Sequence, residues 1–290
     1  MQTQLRGIHS TVLISPDSPT VMIGERLNPT GRKAFSAELQ VGDLSRIARD
    51  AASQVAAGAT VLDVNVGAVG VDEVVVLPRA VQIVQETVDV PVSIDSASPT
   101  ALVAVLKVVK GRPLINSLNA EEKKLRELMP IVAEYGAVAI ALCMPDGGIP
   151  PTVEGRLAAA EKILEAAERC GVGADSLLFD PLATTISTDH RSGLLTLETT
   201  RELRRQLGVN ITVGASNASH GMPERETLNL VFMTQLIAAG VNAPICNPNK
   251  IALAVKAADL MLGRDEDGMS YIRAYRALEK LKAQTSSPAS

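Results

Sequence analysis

The residues most able to do chemistry in this sequence are the polar ones at which short apolar runs stop. Most of these stops are carboxylates or amides, which accept, or both donate and accept, hydrogen bonds. They read Gly24-Glu25-Arg26-Leu27-Asn28, Asp63-Val64-Asn65, Ile94-Asp95-Ser96, Ile115-Asn116-Ser117, Leu142-Cys143-Met144, Phe179-Asp180-Pro181, Ala215-Ser216-Asn217 and Cys246-Asn247. The set offers little nucleophile, base or metal-ligand chemistry. We therefore predict a metal-free site that binds a flat heterocycle with a polar edge.

The runs that lead to these stops have the composition of buried parallel strands. They are continuously apolar, as expected for strands covered on both faces. The predicted strands are Val21–Glu25, Thr60–Asn65, Val90–Asp95, Leu114–Asn116, Val138–Met144, Leu177–Asp180, Asn210–Gly214 and Ala243–Cys246.

Helical patterns lie between the strands, with apolar residues three and four apart and a glycine just past most of them. Glycine at that position is typical of a left-handed helix end. The predicted helices are Leu44–Ala57, Val74–Val88, Pro99–Val109, Glu121–Tyr135, Val153–Cys170, Glu198–Leu207, Glu224–Ala239 and Asn249–Leu262, with an additional helix at Tyr271–Ala283.

Strand–helix units that follow one another without a linker predict an α/β fold, a (β/α)8 TIM barrel over residues 21–284. The competing fold is a doubly wound open sheet, but the first turn, residues 28–32, has no G-x-G-x-x-G motif. Residues 1–20 are interpreted as an N-terminal extension and residues 285–290 as a flexible tail. The long, Thr- and Ser-rich segment Leu182–Leu195 is predicted to be a loop and a candidate lid.

In such a barrel the polar stops converge at the carboxyl ends of the strands, where barrel enzymes hold their sites. A pyrimidine edge with an amino group, a ring N–H and a carbonyl matches their hydrogen-bonding groups. Other interpretations stay open. Asp63 and Asn65 could cap the following loop, Asp95 and Asp180 could be turn residues, Asn217 could cap a turn, and Glu25 could simply pair with Arg26.

Composition excludes several classes of function. The net charge is −4, and the chain has no Trp and only three Tyr and three Phe. A nucleic-acid-binding protein needs a basic surface or stacking aromatics, so neither nucleic acid nor a membrane is an expected partner. Cys143, Cys170 and Cys246 are too scattered for a disulfide framework and are expected to be buried thiols. Without a signal-like or transmembrane run, we expect a cytoplasmic protein.

Six of the motifs, in this order, resemble those of pterin-binding methyltransferases. The resemblance runs from about Val21 to about Arg264 and is strongest to methyltetrahydrofolate:corrinoid/iron–sulfur protein methyltransferases. The folate domain of cobalamin-dependent methionine synthase is a relative, and dihydropteroate synthase has a similar barrel fold. The motifs are Gly24-Glu25-Arg26-Leu27-Asn28, Asp63-Val64-Asn65-Val66-Gly67, Ile94-Asp95-Ser96, Ile115-Asn116-Ser117, Phe179-Asp180-Pro181-Leu182 and Gly214-Ala215-Ser216-Asn217.

The resemblance implies methyl transfer between N5 of methyltetrahydrofolate and the cobalt of a corrinoid (cobalamin) that a partner protein carries. It also implies a homodimer. Asp95, Asn116 and Asp180 would hold the pterin ring, and Asn217 would act at N5 with support from Ser216. The other implied folate-binding residues are Glu25, Asn28, Asp63 and Arg225.

Three other functions stay open at this point. Dihydropteroate synthase would need cations after the seventh strand, where this chain has Ala215-Ser216-Asn217-Ala218. A non-catalytic folate-binding or corrinoid-docking module would show no turnover. An unrelated barrel lyase would need a Schiff-base lysine or a metal-binding carboxylate cluster at the strand ends.

Overall fold

The computed structural model describes residues 1–286, with side-chain surroundings up to residue 279. Its strands are β1 (Thr3–Arg6), β2 (Thr11–Ile14), β3 (Ile23–Leu27), β4 (Val61–Val64), β5 (Val92–Asp95), β6 (Leu114–Asn119), β7 (Val138–Leu142), β8 (Leu177–Asp180), β9 (Asn210–Ile211) and β10 (Ile245–Cys246). Its helices are α1 (Lys33–Gln40), α2 (Ser45–Ala56), α3 (Glu73–Thr87), α4 (Pro99–Leu106), α5 (Glu122–Tyr135), α6 (Val153–Arg169), α7 (Ser192–Glu202), α8 (Arg225–Ala239), α9 (Pro248–Met261) and α10 (Met269–Ser286).

Strands β3 to β10 form one parallel sheet of eight strands that closes on itself. From β3 to β9 each strand pairs with the next along the chain, and β10 pairs with β3. Between β9 and β10 the closure is made by the Ile245 N–H, which donates to the Val213 carbonyl at 3.0 Å, and by a parallel bridge from Gly214 to Ile245. This closure confirms the predicted (β/α)8 barrel and excludes the open doubly wound sheet.

The strands are buried on both faces, which explains their continuously apolar sequences. All four residues of β4 are buried. One face packs inside the barrel, and the other packs under the surrounding helices. The inner cluster contains Val21, Ile23, Val61, Leu114, Val138, Ile140, Leu178 and Ala243. The predicted strands agree with the observed ones except for small shifts at their ends, such as Ile23–Leu27 in place of Val21–Glu25.

Residues 1–20 contain a β-hairpin that covers the amino-terminal end of the barrel. Strands β1 and β2 pair antiparallel, and Leu5 and Ile14 are fully buried in the inner cluster. The Asn210 amide donates to the Thr3 hydroxyl at 2.9 Å and to the Ile14 carbonyl at 3.0 Å. The sequence predicted an extension here without strands, because four-residue strands with one exposed face give a weak periodic signal.

Helix α7 begins at Ser192, so the predicted loop Leu182–Leu195 is too long at its carboxyl end. The misassigned residues include Ser192 and Gly193, which have low helix propensity. In the structure the hydroxyl of Thr196 donates to the Ser192 carbonyl at 2.9 Å, and the hydroxyl of Thr200 donates to the Thr196 carbonyl at 2.8 Å. These i to i−4 bonds satisfy buried hydroxyls within the helix.

The remaining helices largely follow the predictions, and α1 is the exception. It is a short helix inside the loop after β3, and it was not predicted. Gly136 follows α5 with a φ of 59°, and Gly208 follows a π-helical turn, Leu203–Leu207, that continues α7, with a φ of 63°. The predicted helix Tyr271–Ala283 lies within α10, which also includes residues 285 and 286 of the predicted tail. Residues 287–290 lie outside the described residues. In the described part of the chain, no helix has the length and apolar character to cross a membrane.

Candidate active site

Asp63 and Asn116 meet across the mouth at the carboxyl end of the barrel. One carboxylate oxygen of Asp63 accepts hydrogen bonds from the Ser93 hydroxyl at 2.6 Å and from the Asn116 amide at 3.1 Å. Strand β5 separates the strands that carry Asp63 and Asn116, so this bond spans the interior of the mouth. Asp63 is therefore bonded within the mouth, whereas Asn65 caps the following loop by accepting from the Gly67 N–H at 2.7 Å.

Three aspartates of the mouth have raised pKa values, and burial is the main cause in each. Burial and repulsion by Asp95 raise the pKa of Asp63, against hydrogen bonds from Ser93 and Asn116. Burial also raises the pKa of Asp95 and brings the pKa of Asp180 to about 6. A ligand that donates N–H groups to these oxygens would compensate for the lost hydration and favour the ionised form.

Asp95 stands beside a small open cavity between the β5 and β6 ends. The Asn28 amide donates to Asp95 at 3.4 Å, and the Asn28 side-chain oxygen accepts from the Thr30 N–H at 2.9 Å. The cavity has a volume of about 170 Å³. Its lining is Asp95, Ser96, Ala97, Asn116, Ser117, Leu118, Asn119, Lys124 and Leu142.

Only Asp95 and Asn116 of this lining were predicted as site residues, and Asn119 and Lys124 are among those that were not. Asn119 is buried, and its amide donates to Glu121 at 2.7 Å. The ammonium group of Lys124 donates to the Ala97 carbonyl at 3.3 Å. Asn119 lies only three residues after Asn116 in the same strand, and a second amide in an otherwise apolar strand was the available signal.

Asp180 shapes the loop after β8 as well as facing the mouth. Its carboxylate accepts from the Leu182 N–H at 2.7 Å, and Leu182 has a positive φ of 67°. The predicted turn role of Asp180 is therefore present, and its carboxylate also accepts from the Gly214 N–H. A second role toward a ligand is compatible with these bonds, because two carboxylate oxygens offer about four acceptor sites.

Arg156 of α6 holds the same loop from beneath, and the sequence analysis missed it. Its side chain is almost fully buried, and its guanidinium donates to the carbonyls of Pro181 at 2.6 Å and Leu182 at 2.8 Å. It also lowers the pKa of Asp180, against the effect of burial. The available signal was an arginine next to Leu157 on the face of α6 that packs against the barrel.

Asn217 lies in a 3₁₀ helix, Ala215–Ser219, that follows β9, and it is the exposed residue of that helix. The Asn217 amide nitrogen stands 3.2 Å from the place that a Cβ on Gly214 would occupy, so a side chain there would crowd it. The backbone of Asn217 makes the turn: its N–H donates to Gly214, and its carbonyl accepts from the His220 N–H. Its side chain is left at the rim of the mouth.

Arg225, predicted to bind folate, braces this 3₁₀ helix. Its guanidinium donates to the Ser219 hydroxyl and to the Ser216 carbonyl, each at 3.1 Å. It also lowers the pKa of Glu25, which lies on the nearby strand β3. Glu25 is surrounded by groups from several elements, so its predicted simple pairing with Arg26 describes only part of its environment.

Metal ligands and reactive thiols are not features of this mouth. Among the described residues, no group of three or more His, Cys, Asp or Glu side chains could hold a metal ion. Cys143 and Cys246 are buried, and burial raises the pKa of both thiols. Cys170 is exposed, so the expectation of three buried thiols is wrong for this residue, which follows the carboxyl end of α6.

The sequence is similar to those of pterin-binding proteins. Residues 24–247 match the family described as pterin binding enzymes. A methylcorrinoid:tetrahydrofolate methyltransferase of Eubacterium limosum is 32% identical over 88% of this chain and 96% of its own length. A methionine synthase of Mycobacterium tuberculosis is 31% identical over 86% of this chain, which spans only 22% of that longer protein.

Solved structures agree on the fold. A 7,8-dihydropteroate synthase from Vibrio fischeri superposes with a TM-score of 0.68 over 90% of this chain and 99% of that one, at 18% identity. A dihydropteroate synthase from Yersinia pestis, determined with a pterin–sulfa conjugate, superposes with a TM-score of 0.69 over 90% of this chain and 100% of that one, at 16% identity. The family match covers most of the chain, and the polar mouth of the barrel lies within the matched residues. The protein therefore belongs to the pterin-binding enzyme family.

Proposed function

We propose that this protein transfers a methyl group between N5 of tetrahydrofolate and the cobalt of a corrinoid. The observation that carries the proposal is the 32% identity to the methylcorrinoid:tetrahydrofolate methyltransferase, which extends over 96% of that relative. Similarity over nearly the whole of both chains includes the barrel and all of its βα loops, where barrel enzymes hold their chemistry.

The pterin ring would be held by Asp95, Asn116 and Asp180. A carboxylate accepts N–H groups of a ring edge, and an amide both donates and accepts. Asp63 would orient Asn116 through the 3.1 Å hydrogen bond between them. Asn28 would likewise orient Asp95, to which it donates.

Asn217 would act at N5 itself. The methyl group leaves N5 readily only when N5 gains positive character, and a preorganised hydrogen bond from protonated N5 to the amide oxygen stabilises that charge as it develops. Arg225 supports this role indirectly, since it bonds to Ser216 and Ser219 on either side of Asn217. Positioning the two substrates in line supplies a further part of the rate.

The corrinoid would be brought by a partner protein that docks over the open mouth. A methylated or reduced corrinoid is a substrate here and needs no resident metal site in this chain. We further propose a cytoplasmic homodimer, in line with the family resemblance and with the apolar surfaces of α8 that include Leu230 and Val231, 38% and 53% exposed.

Dihydropteroate synthase is the weaker candidate. The structural likeness lies at 16–18% identity and therefore supports a shared fold alone. The residues of the 3₁₀ helix, Ala215–Ser219, include no cation to receive a pyrophosphate leaving group. A non-catalytic folate-binding module is separated from the enzyme by turnover.

The test is methyl transfer by the purified protein from methyltetrahydrofolate to free cob(I)alamin, followed by the absorbance change of the corrinoid. We expect transfer that depends on the protein, and tetrahydrofolate binding that persists in excess EDTA. Folate binding without transfer would favour the non-catalytic module. Formation of dihydropteroate from a pterin pyrophosphate and p-aminobenzoate, without methyl transfer, would favour the synthase.

A further inference from the structure

Glu25 is a carboxyl group at the barrel mouth to which the family resemblance gives a folate contact and the proposed function gives no step of the reaction. It lies on β3, beside β10, and its side chain is half-buried, so it retains access to the mouth. Burial raises the pKa of Glu25, and two cations and a hydroxyl group oppose this effect. Such a carboxyl exchanges a proton closer to neutral pH than an exposed glutamate does.

The groups that face Glu25 come from every neighbouring element of the mouth. The cations are Arg26 on β3 and Arg225 on α8, and the hydrogen-bond donor is the Ser216 hydroxyl. Charge on Glu25 also raises the pKa of Asp63 on β4 and of the buried Cys246 thiol on β10. Glu25 therefore lies on the side of the mouth where Asn217 stands, and Ser216 connects the two residues along the chain.

Methyl transfer changes the number of protons on N5, and an amide cannot supply or remove one. Asn217 can form a hydrogen bond to N5, but it stays neutral at all ordinary pH values. Asp95 lies on β5, away from the strand that leads to Asn217. Asp180 lies on β8, next to β9, but its carboxylate accepts from the backbone N–H groups of Leu182 and Gly214 and, in the proposed function, from the pterin ring. The group we look for is therefore a titratable one near Asn217 that neither the backbone nor the ring edge already engages.

We propose that Glu25 exchanges the proton with N5 of the folate during methyl transfer, directly or through one water, with the Ser216 hydroxyl fixing its carboxylate. This inference rests on the proposed function.

The step balances in both directions. From methyltetrahydrofolate, the Glu25 carboxyl gives its proton to N5. The N5–CH3 bond then breaks with its electron pair left on N5, and the methyl group bonds to the electron pair of the reduced corrinoid. In reverse, N5 of tetrahydrofolate takes the methyl group, the N5 proton passes to the Glu25 carboxylate, and the corrinoid leaves with the electron pair.

The test is the pH profile of single-turnover methyl transfer from methyltetrahydrofolate to cob(I)alamin, measured for the wild type and for Glu25→Gln. Protonated Glu25 is required in this direction, so the wild-type rate falls as the pH rises through the Glu25 pKa. In Glu25→Gln that decline disappears, and the rate at saturating folate falls about 100-fold or more, the usual contribution of a general acid. Tetrahydrofolate affinity changes little.

Glu224→Gln is the matched control, because Glu224 is an exposed carboxylate before α8. It keeps the wild-type rate and profile. Arg26→Met is the second variant. Removal of the cation raises the Glu25 pKa, so the decline moves to higher pH while the maximal rate is retained.

The outcomes separate this inference from the proposed function. If the wild type transfers no methyl group, the proposed function is overturned, and the role of Glu25 with it. If the wild type is active and Glu25→Gln keeps both its rate and its pH profile, only the role of Glu25 is overturned. If Glu25→Gln no longer binds folate, the pH profile of Arg26→Met is the deciding test. The role of Glu25 is overturned if the fall in the rate of this variant occurs at the same pH as in the wild type.

Discussion

The two ends of the barrel deal with buried polar groups in opposite ways. At the amino-terminal end, Asn210 and Asn242 are buried and neutral, and their amides are bonded to each other at 2.8 Å and to the backbone. At the carboxyl end, Asp63, Asp95 and Asp180 are titratable, and burial raises the pKa of each. Both sets are carried by the same parallel sheet.

This difference indicates that one end of the barrel contributes mainly to stability and the other mainly to function. A neutral amide with all partners inside the protein stabilises the fold and has nothing left for a ligand. A buried carboxyl that has lost hydration and has only part of its partners gains free energy when a ligand donates to it. The amino-terminal end is therefore expected to determine stability, and the carboxyl end to determine binding and rate.

The largest expected effect is on stability, from Leu5→Ala in the hairpin. Leu5 is fully buried in the inner cluster, so its truncation should lower the free energy of unfolding by about 2–5 kcal/mol. Leu13→Ala is the control, since Leu13 on the same hairpin is 43% exposed and should cost less than about 1 kcal/mol. Urea unfolding measures both. Equal losses, or a loss of folate affinity in folded Leu5→Ala, would break the separation of the two ends.

The next effect is on binding, from Asp95→Ala. Loss of a charge-assisted contact to pterin N–H groups should weaken tetrahydrofolate binding by about 1.5–3 kcal/mol. Asp146→Ala is the control, because the Asp146 side chain is 64% exposed and pairs with Lys162 on the surface. Isothermal titration gives both dissociation constants. An Asp95→Ala constant within about twofold of the wild type would remove Asp95 from the ring edge.

A smaller effect is expected in the pH dependence of stability, through Asp63. Its folded pKa is raised, so the unfolded chain releases the proton at lower pH than the folded protein does. Ionisation therefore favours unfolding as the pH rises from the unfolded pKa to the folded pKa, and the penalty is complete above the folded pKa. Asp63→Asn lacks this penalty and should gain about 1–2 kcal/mol relative to the wild type between about pH 4 and pH 7.

Thermal unfolding at several pH values tests this prediction. The difference between Asp63→Asn and the wild type should widen in favour of the variant as the pH rises. A constant difference across this range would show that Asp63 ionises normally in the folded protein.

The fold could be predicted from the sequence because each strand is buried on both faces and each is followed by a helix. The segments that were missed give only weak signals in the sequence. The start of α7 was missed because Ser192 and Gly193 have low helix propensity, and the hairpin was missed because its strands are short and have one exposed face. Neither arrangement leaves a clear periodic signal in the sequence.

The polar residues at the strand ends of the candidate site were predicted from the sequence. The residues that hold the surrounding loops in place were predicted less well. Asp63, Asn116 and Asp95 were expected at the mouth and lie there. Arg156 was missed because its role depends on carbonyls of a loop more than twenty residues later in the chain. The bracing of the 3₁₀ helix by Arg225 likewise depends on backbone geometry that sequence patterns do not encode.

The central claim is methyl transfer at N5 assisted by Asn217, and Asn217→Ala tests it most directly. An amide that bonds best to a positively charged N5 lowers the barrier more than it tightens binding. Stopped-flow transfer to cob(I)alamin at saturating methyltetrahydrofolate, beside equilibrium folate binding, measures both effects, with Asn249→Ala as the control for an exposed rim amide.

We expect the transfer rate of Asn217→Ala to fall about 10- to 1000-fold, as on removal of one preorganised hydrogen bond, with a smaller loss of folate affinity. Asn249→Ala should match the wild type in both. An unchanged rate at saturating folate, together with a collapse of affinity, would make Asn217 a binding residue only and would contradict the proposed mechanism.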